Sequence, residues 1–177
     1  VQNCPLLEQF DLNFWGTDRQ RNGITDDCLV ALSTLKHLQV VSLNNNCNIT
    51  DSGVDALVTR SPRLDTVSIK DCRMLTAKCV TNMHRLKFII MEHCCIEPAA
   101  LEIMARWPPV RPLRVLRIPH LCPDPLRVCD LLRRCPQLEL CEFSYKCYAE
   151  IVQAVDNEFG WGPVRIIEKK CRYSLFG

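Results

Sequence analysis

Ser61-Pro62-Arg63-Leu64-Asp65-Thr66-Val67-Ser68-Ile69-Lys70-Asp71-Cys72 is the stretch whose reading decides the fold. Pro62 cannot continue a helix, so it fixes the exit from whatever precedes it. Leu64, Val67 and Ile69 are spaced apolar, two variable, apolar, one variable, apolar, and the alternation at their end is that of a strand with one buried face. Cys72 then sits three residues past the last apolar position, where the chain must turn, and a buried thiol there can bond the turning backbone.

The same unit recurs along nearly the whole chain, as Leu7–Phe10–Leu12, Leu38–Val41–Leu43, Leu86–Ile89–Met91, Leu113–Leu116–Ile118 and Leu138–Cys141–Phe143. The third apolar positions are separated by 31, 26, 22, 27 and 25 residues, a mean of about 26, within the range of leucine-rich repeats. The turn slot holds Asn46, Cys72 and Cys94, then Leu121 and Lys146. Helix-start signals follow at Ile24-Thr25-Asp26-Asp27, Ile49-Thr50-Asp51-Ser52 and Leu75-Thr76-Ala77, with Thr as N-cap and Asp in the first turn. Apolar residues then recur at helical spacing, as in Val54, Leu57 and Val58, in Cys79, Val80 and Met83, and in Leu101, Met104 and Trp107. Strand, turn and helix repeated six times predict an α/β leucine-rich-repeat solenoid, with a parallel sheet on the concave side and helices outside.

The unit resembles the cysteine-containing leucine-rich repeat, most closely from Ser61-Pro62-Arg63-Leu64 to Cys72 and from Asn46 to Ile49-Thr50-Asp51-Ser52-Gly53-Val54. The resemblance covers about residues 3 to 147. It implies the substrate-recognition part of an F-box/leucine-rich-repeat receptor of a cullin–RING ubiquitin ligase, with the F-box outside this chain. The repeat also occurs in related mitotic-exit regulators. Two later repeats depart from it by losing the turn Cys, and Cys122-Pro123-Asp124 replaces the Thr-Asp cap. The solenoid is expected over 1–155, truncated at its N-terminus after an upstream repeat whose helix Val1 to Pro5 would end, with 156–177 as a C-terminal cap. Within that cap, Pro163-Val164-Arg165-Ile166-Ile167 reads as a last strand.

Of 177 residues, 47% are apolar, which suits a folded chain. A net charge of +2, from 22 basic and 20 acidic residues, gives no bulk drive toward nucleic acid or an anionic membrane. No apolar run is long enough to span a bilayer. Thirteen cysteines, an odd number with no CxxC spacing, suit a reducing compartment, cytosol or nucleus, where Cys acts as a small apolar residue.

In each strand the residues between the apolar anchors point away from the core. In repeats 4 to 6 this places Phe88, Ile90, Val115 and Leu140 on the outer sheet face as an apolar strip. Arg117 stands beside Glu142, Lys70 beside Glu92, and His93, His120 and Tyr145 form a polar edge. Apolar surface rimmed by charge is how protein-binding faces are built, although strip residues that only pack against their neighbours would give the same pattern. A second candidate is the insertion in repeat 1, whose Trp15, Arg19 and Arg21 are residue types that dominate interfaces. A solvated loop is its plainer reading.

The register brings His93, Cys94, Cys95, His120 and Cys122 near one another, but Cys94 is accounted for by the turn slot and no metal is expected. No GxGxxG, GxxxxGK[ST] or GxSxG occurs, no cofactor is expected, and a catalytic reading is set aside. The expected partner is therefore a protein on the sheet face, with neither nucleic acid nor membrane. The rival reading is a structural subunit of a large assembly, including a mitochondrial one.

Overall fold

Each Leu-x-x-apolar-x-apolar unit forms one short strand and, with one exception, is followed by a helix. The computed structural model describes residues 3–13, 24–44, 48–108, 112–160 and 165–169. Among the described residues there are seven strands: β1 (Gln9–Asn13), β2 (Val40–Asn44), β3 (Thr66–Lys70), β4 (Phe88–Glu92), β5 (Val115–Arg117), β6 (Leu140–Ser144) and β7 (Arg165–Lys169). They form one sheet in chain order, every neighbouring pair parallel. The α-helices are α1 (Asp26–Leu32), α2 (Asp51–Arg60), α3 (Ala99–Met104), α4 (Pro125–Arg134) and α5 (Tyr148–Phe159). This is an α/β fold in which a parallel sheet alternates with helices. None of the described helices is long and apolar enough to cross a membrane.

The sheet has one strand more than the six repeats supply. β7 pairs with β6 from Leu140↔Arg165 to Ser144↔Lys169, since Ile166 and Ile167 carry the β-branched side chains that suit a strand. Helix α5 runs past position 155 to Phe159, and β7 takes in the Arg165-Ile166-Ile167 stretch that the sequence reads as a last strand.

Register is held across the sheet. Phe10, Val41, Val67, Ile89, Leu116, Cys141 and Ile166 pair in succession, as do Leu12, Leu43, Ile69 and Met91. Val41, Leu43, Val67, Ile69, Ile89, Leu116 and Cys141 are fully buried, and they form one cluster with the inward faces of the helices. Fully burying one such side chain stabilises by about 1.5–3 kcal/mol relative to exposure.

Repeat 3 departs from the expected α-helix. Between β3 and β4 the chain makes two 3-10 turns, Ala77–Val80 and Met83–Arg85. The spacing of 22 residues from Ile69 to Met91 is the shortest in the chain, and a 3-10 turn covers more length per residue than an α-turn. Thr81 reinforces the break by donating its hydroxyl to the Lys78 carbonyl at 2.6 Å. Helix α3, at six residues, is also short. Beyond its end Trp107 is buried against this thinned part of the layer and donates its indole N–H to the Val80 carbonyl at 3.1 Å.

Two of the three Thr signals cap their helices, and the aspartates that follow Thr25 and Thr50 tie one repeat to the next; Thr25 holds the N-cap position of α1 but its side chain makes no cap bond. Thr50 accepts from the Ser52 N–H, and Thr76 from the Lys78 N–H, as N-caps do. The carboxylate of Asp26 receives both the Thr50 N–H (2.9 Å) and the Thr50 hydroxyl (2.6 Å). Asp51 receives the same pair from Thr76, at 2.9 and 2.6 Å. Gly53 makes room for the first of these braces, because a Cβ there would lie 2.2 Å from an Asp26 carboxylate oxygen. Gly53→Ala is expected to displace Asp26, leave the Thr50 donors without their acceptor and cost about 1–2 kcal/mol. Thermal unfolding checks it, with a fall in midpoint of roughly 2–8 °C.

Candidate functional site

The sheet face opposite the helices is built by the residues that alternate with the buried ladder. Phe88, Val115 and Leu140 pair across β4, β5 and β6, as do Ile90, Arg117 and Glu142. The alignment of these residues across β4, β5 and β6 is therefore the one the repeat spacing gives. Their exposure differs from expectation: Phe88, Ile90, Val115 and Leu140 are half-buried, covered in part by their own neighbours. The strip is a shallow apolar floor and not a fully exposed patch.

The charged residues beside it are more buried than a solvent-exposed rim. Glu142 retains 3% of its exposure and Glu92 8%. Arg117 explains why two carboxylates tolerate that position: its Nε donates to Glu142 at 2.5 Å and a terminal nitrogen lies 3.3 Å from Glu92. Lys70 approaches Glu92 from the other side at 3.5 Å. Lys70, Glu92, Arg117 and Glu142 thus form one chain of alternating charge from β3 to β6, with two cations balancing two anions. On the opposite side of the apolar floor run the exposed pairs Asp65–Lys87 (3.1 Å) and Arg114–Glu139 (3.4 Å). The floor lies between two rails whose charges are already paired within the protein.

At the end of the strands the backbone turns through a left-handed residue, Asp71 after β3 and His93 after β4, with φ of 57° and 56°. Asp and His are among the residues that adopt this conformation most readily. His93 and His120 are both exposed, and their rings lie 4.5 Å apart between centroids, tilted by 41°. Tyr145 opens the 3-10 turn Tyr145–Cys147 next to them, but its side chain lies outside the described part of the structure. Trp15, Arg19 and Arg21, the insertion residues, lie outside the described residues as well.

Inward-facing thiols close the turns. The Cys72 thiol donates to the Lys70 carbonyl at 3.6 Å, and the Cys94 thiol lies 3.5 Å from the Glu92 carbonyl and 3.6 Å from that of Ile69. Burial pushes the Cys94 thiol up to about 11, and the negative charge of Asp71 and Glu92 adds to the shift. In repeat 6 the slot residue expected from spacing is Lys146, yet Cys147 performs the role. Its thiol lies 3.2 Å from the Ser144 carbonyl and 4.0 Å from that of Leu121, because the 3-10 turn shifts the inward position by one residue. Burial raises this thiol to about 12, with Cys122 alongside adding to the effect. Cys79 and Cys141 are raised further by burial. A thiol reacts as the thiolate. Iodoacetamide is therefore expected to label exposed Cys4, Cys95 and Cys122 in the folded protein and to reach Cys79, Cys94, Cys141 and Cys147 only after denaturation. Peptide mass mapping reads the order, and early labelling of Cys141 would contradict this packing.

No family model matches the chain. It is similar to the antagonist of mitotic exit network protein 1 of Eremothecium gossypii (strain ATCC 10895 / CBS 109.51 / FGSC 9923 / NRRL Y-1056), with 30% identity over 164 residues. That match takes in 79% of this chain and 36% of the relative, so the chain spans about a third of the length of the curated protein it matches.

Proposed function

We propose that this chain is a leucine-rich-repeat solenoid acting as a non-catalytic protein-binding module, its partner lying on the sheet face over Phe88, Ile90, Val115 and Leu140. The observation that carries this reading is the apolar floor held between two rails of internally paired charge. Such a floor offers apolar contact at its centre and a polar border, the anatomy of an interface. Side chains locked by ion pairs and packing lose little freedom when a partner arrives.

The place of the module in a longer protein follows the repeat resemblance: substrate recognition for a cullin–RING ubiquitin ligase of the F-box type, in a reducing compartment. The similarity to a protein named as an antagonist of the mitotic exit network favours a regulator over a structural subunit of a large assembly, the resemblance having also pointed to mitotic-exit regulators.

The test is affinity purification of the full-length protein beside its Phe88→Ala/Leu140→Ala variant. The variant is expected to lose its captured substrate at least about tenfold and to keep the cullin adaptor, because hot-spot truncations of this size cost about 2 kcal/mol or more. Thermal unfolding run in parallel separates lost contact from lost fold. Retention of every partner by a folded variant overturns the docking face. Absence of any cullin adaptor from the wild-type capture overturns the ligase reading alone.

A further inference from the structure

The outer layer is reduced beside repeat 3, and a cavity opens there. The 3-10 turns Ala77–Val80 and Met83–Arg85 and the short helix α3 leave a space of about 380 Å³ next to them. Thr81, Asn82 and His84 border it on one side, Ile103, Arg106 and Trp107 on the other. Trp107 is buried and its indole N–H is held by the Val80 carbonyl, so its ring is a fixed apolar wall. A space of this size is that of a small ligand pocket and exceeds what one buried water fills. We propose that this cavity is a docking socket for an acidic segment of a partner protein, which inserts one large apolar side chain and sets a neighbouring carboxylate against Arg106. The socket lies on the helix side of the array, so it is a second surface and does not depend on the sheet-face reading.

Charge decides the kind of partner. None of the residues around the cavity is acidic, whereas Arg106 and His84 are basic. Arg106 is exposed and always charged, and among the described residues no carboxylate pairs with it, Glu102 one turn earlier included. Further cations stand on the same side. Arg85, next to His84, donates to the Val58 carbonyl at 2.9 Å, a bond that leaves its charge unbalanced, and Arg60 ends the helix that carries Val58. Asp55, from that helix, accepts the side-chain amide of Asn82 at the cavity wall and is thereby engaged. An apolar hollow with a cationic border is the complement of a peptide in which a Leu or aromatic residue stands beside Asp or Glu. A hollow sized for a single side chain suits a peptide, because recognition of a phosphate backbone uses rows of surface cations and needs no hollow.

Fluorescein-labelled peptides that carry one Leu, Phe or Trp among Glu and Ser are titrated with the full chain by fluorescence polarisation, beside counterparts in which Gln replaces every Glu. The variants are Arg106→Glu, Thr81→Phe, which adds a ring at the border of the cavity, and Phe88→Ala/Leu140→Ala, each checked for folding by circular dichroism. At least one acidic peptide is expected to bind, at least about tenfold tighter than its Gln counterpart and more weakly as salt is raised. Arg106→Glu and Thr81→Phe should each weaken that binding at least about tenfold, and the sheet-face variant should bind as wild type does. Wild-type affinity in folded Arg106→Glu or folded Thr81→Phe overturns the proposal, as does equal binding of the Gln peptides or no binding by any acidic one. Loss confined to Phe88→Ala/Leu140→Ala overturns it by moving the contact to the sheet face.

Discussion

Val67→Asp is expected to destabilise the chain by more than about 4 kcal/mol and to open the sheet around β3. Val67 is fully buried, and its ladder neighbours Val41 and Ile89 are fully buried too. A carboxylate there meets only apolar side chains and main chain already committed to strand pairing. Its desolvation is left without a partner, which places the change among the most damaging single substitutions. Urea unfolding followed by circular dichroism measures the loss, and hydrogen exchange locates it at β2, β3 and β4. Near-wild-type stability would mean that position 67 does not face the core, and the whole register would fall with it.

Arg117→Ala is the second large effect, and it acts from the opposite face of the sheet. The guanidinium stands between Glu92 and Glu142, both nearly inaccessible to water. Removing it leaves Lys70 to hold Glu92 and nothing described to neutralise Glu142. Breaking a fully buried pair costs about 3–5 kcal/mol. Because Arg117 keeps a third of its exposure, about 2–3 kcal/mol is expected here. The partner substitution supplies the check. Arg117→Met combined with Glu142→Leu removes both charges and fills the space with apolar groups, and it should recover most of the loss, as apolar replacement of buried ion pairs commonly does. If the double variant is no more stable than Arg117→Ala, the guanidinium was contributing something other than charge neutralisation.

The strand ladder was legible because its signal is arithmetic. An apolar residue, a second three residues on and a third two residues after that, recurring every 22 to 31 residues, fixes which side chains face inward and which align across the sheet. The pairings Lys70–Glu92 and Arg117–Glu142 followed from that alignment. What alignment could not give was that Arg117 also reaches Glu92, joining two pairs into one chain and burying both carboxylates. Side-chain reach across a sheet depends on rotamers, which periodicity does not specify. The braces from Asp26 to Thr50 and from Asp51 to Thr76 were hidden for a similar reason: helix capping already explains each Thr and Asp within its own repeat. The signal for them was Gly53, a glycine inside a helix, where it weakens the helix unless something needs the space. The collapse of the third helix into 3-10 turns was visible in the short spacing of that repeat, which apolar periodicity alone overrides. Cys147 escaped because a turn of tighter pitch shifts the inward position by one residue.

Two series of polar cross-links, the Asp-to-Thr braces at the back and the sheet-face ion pairs at the front, run over different stretches of the array. On the helix side the Asp-to-Thr braces end at Thr76, since Ala77 stands where the next aspartate would be. On the sheet side the alternating ion pairs begin at Lys70 and run to Glu142. The third repeat is the splice where the two seams overlap, rivets at the back handing over to rivets at the front. That unit thus carries both kinds of tie even though its outer layer is made of 3-10 turns and not of an α-helix.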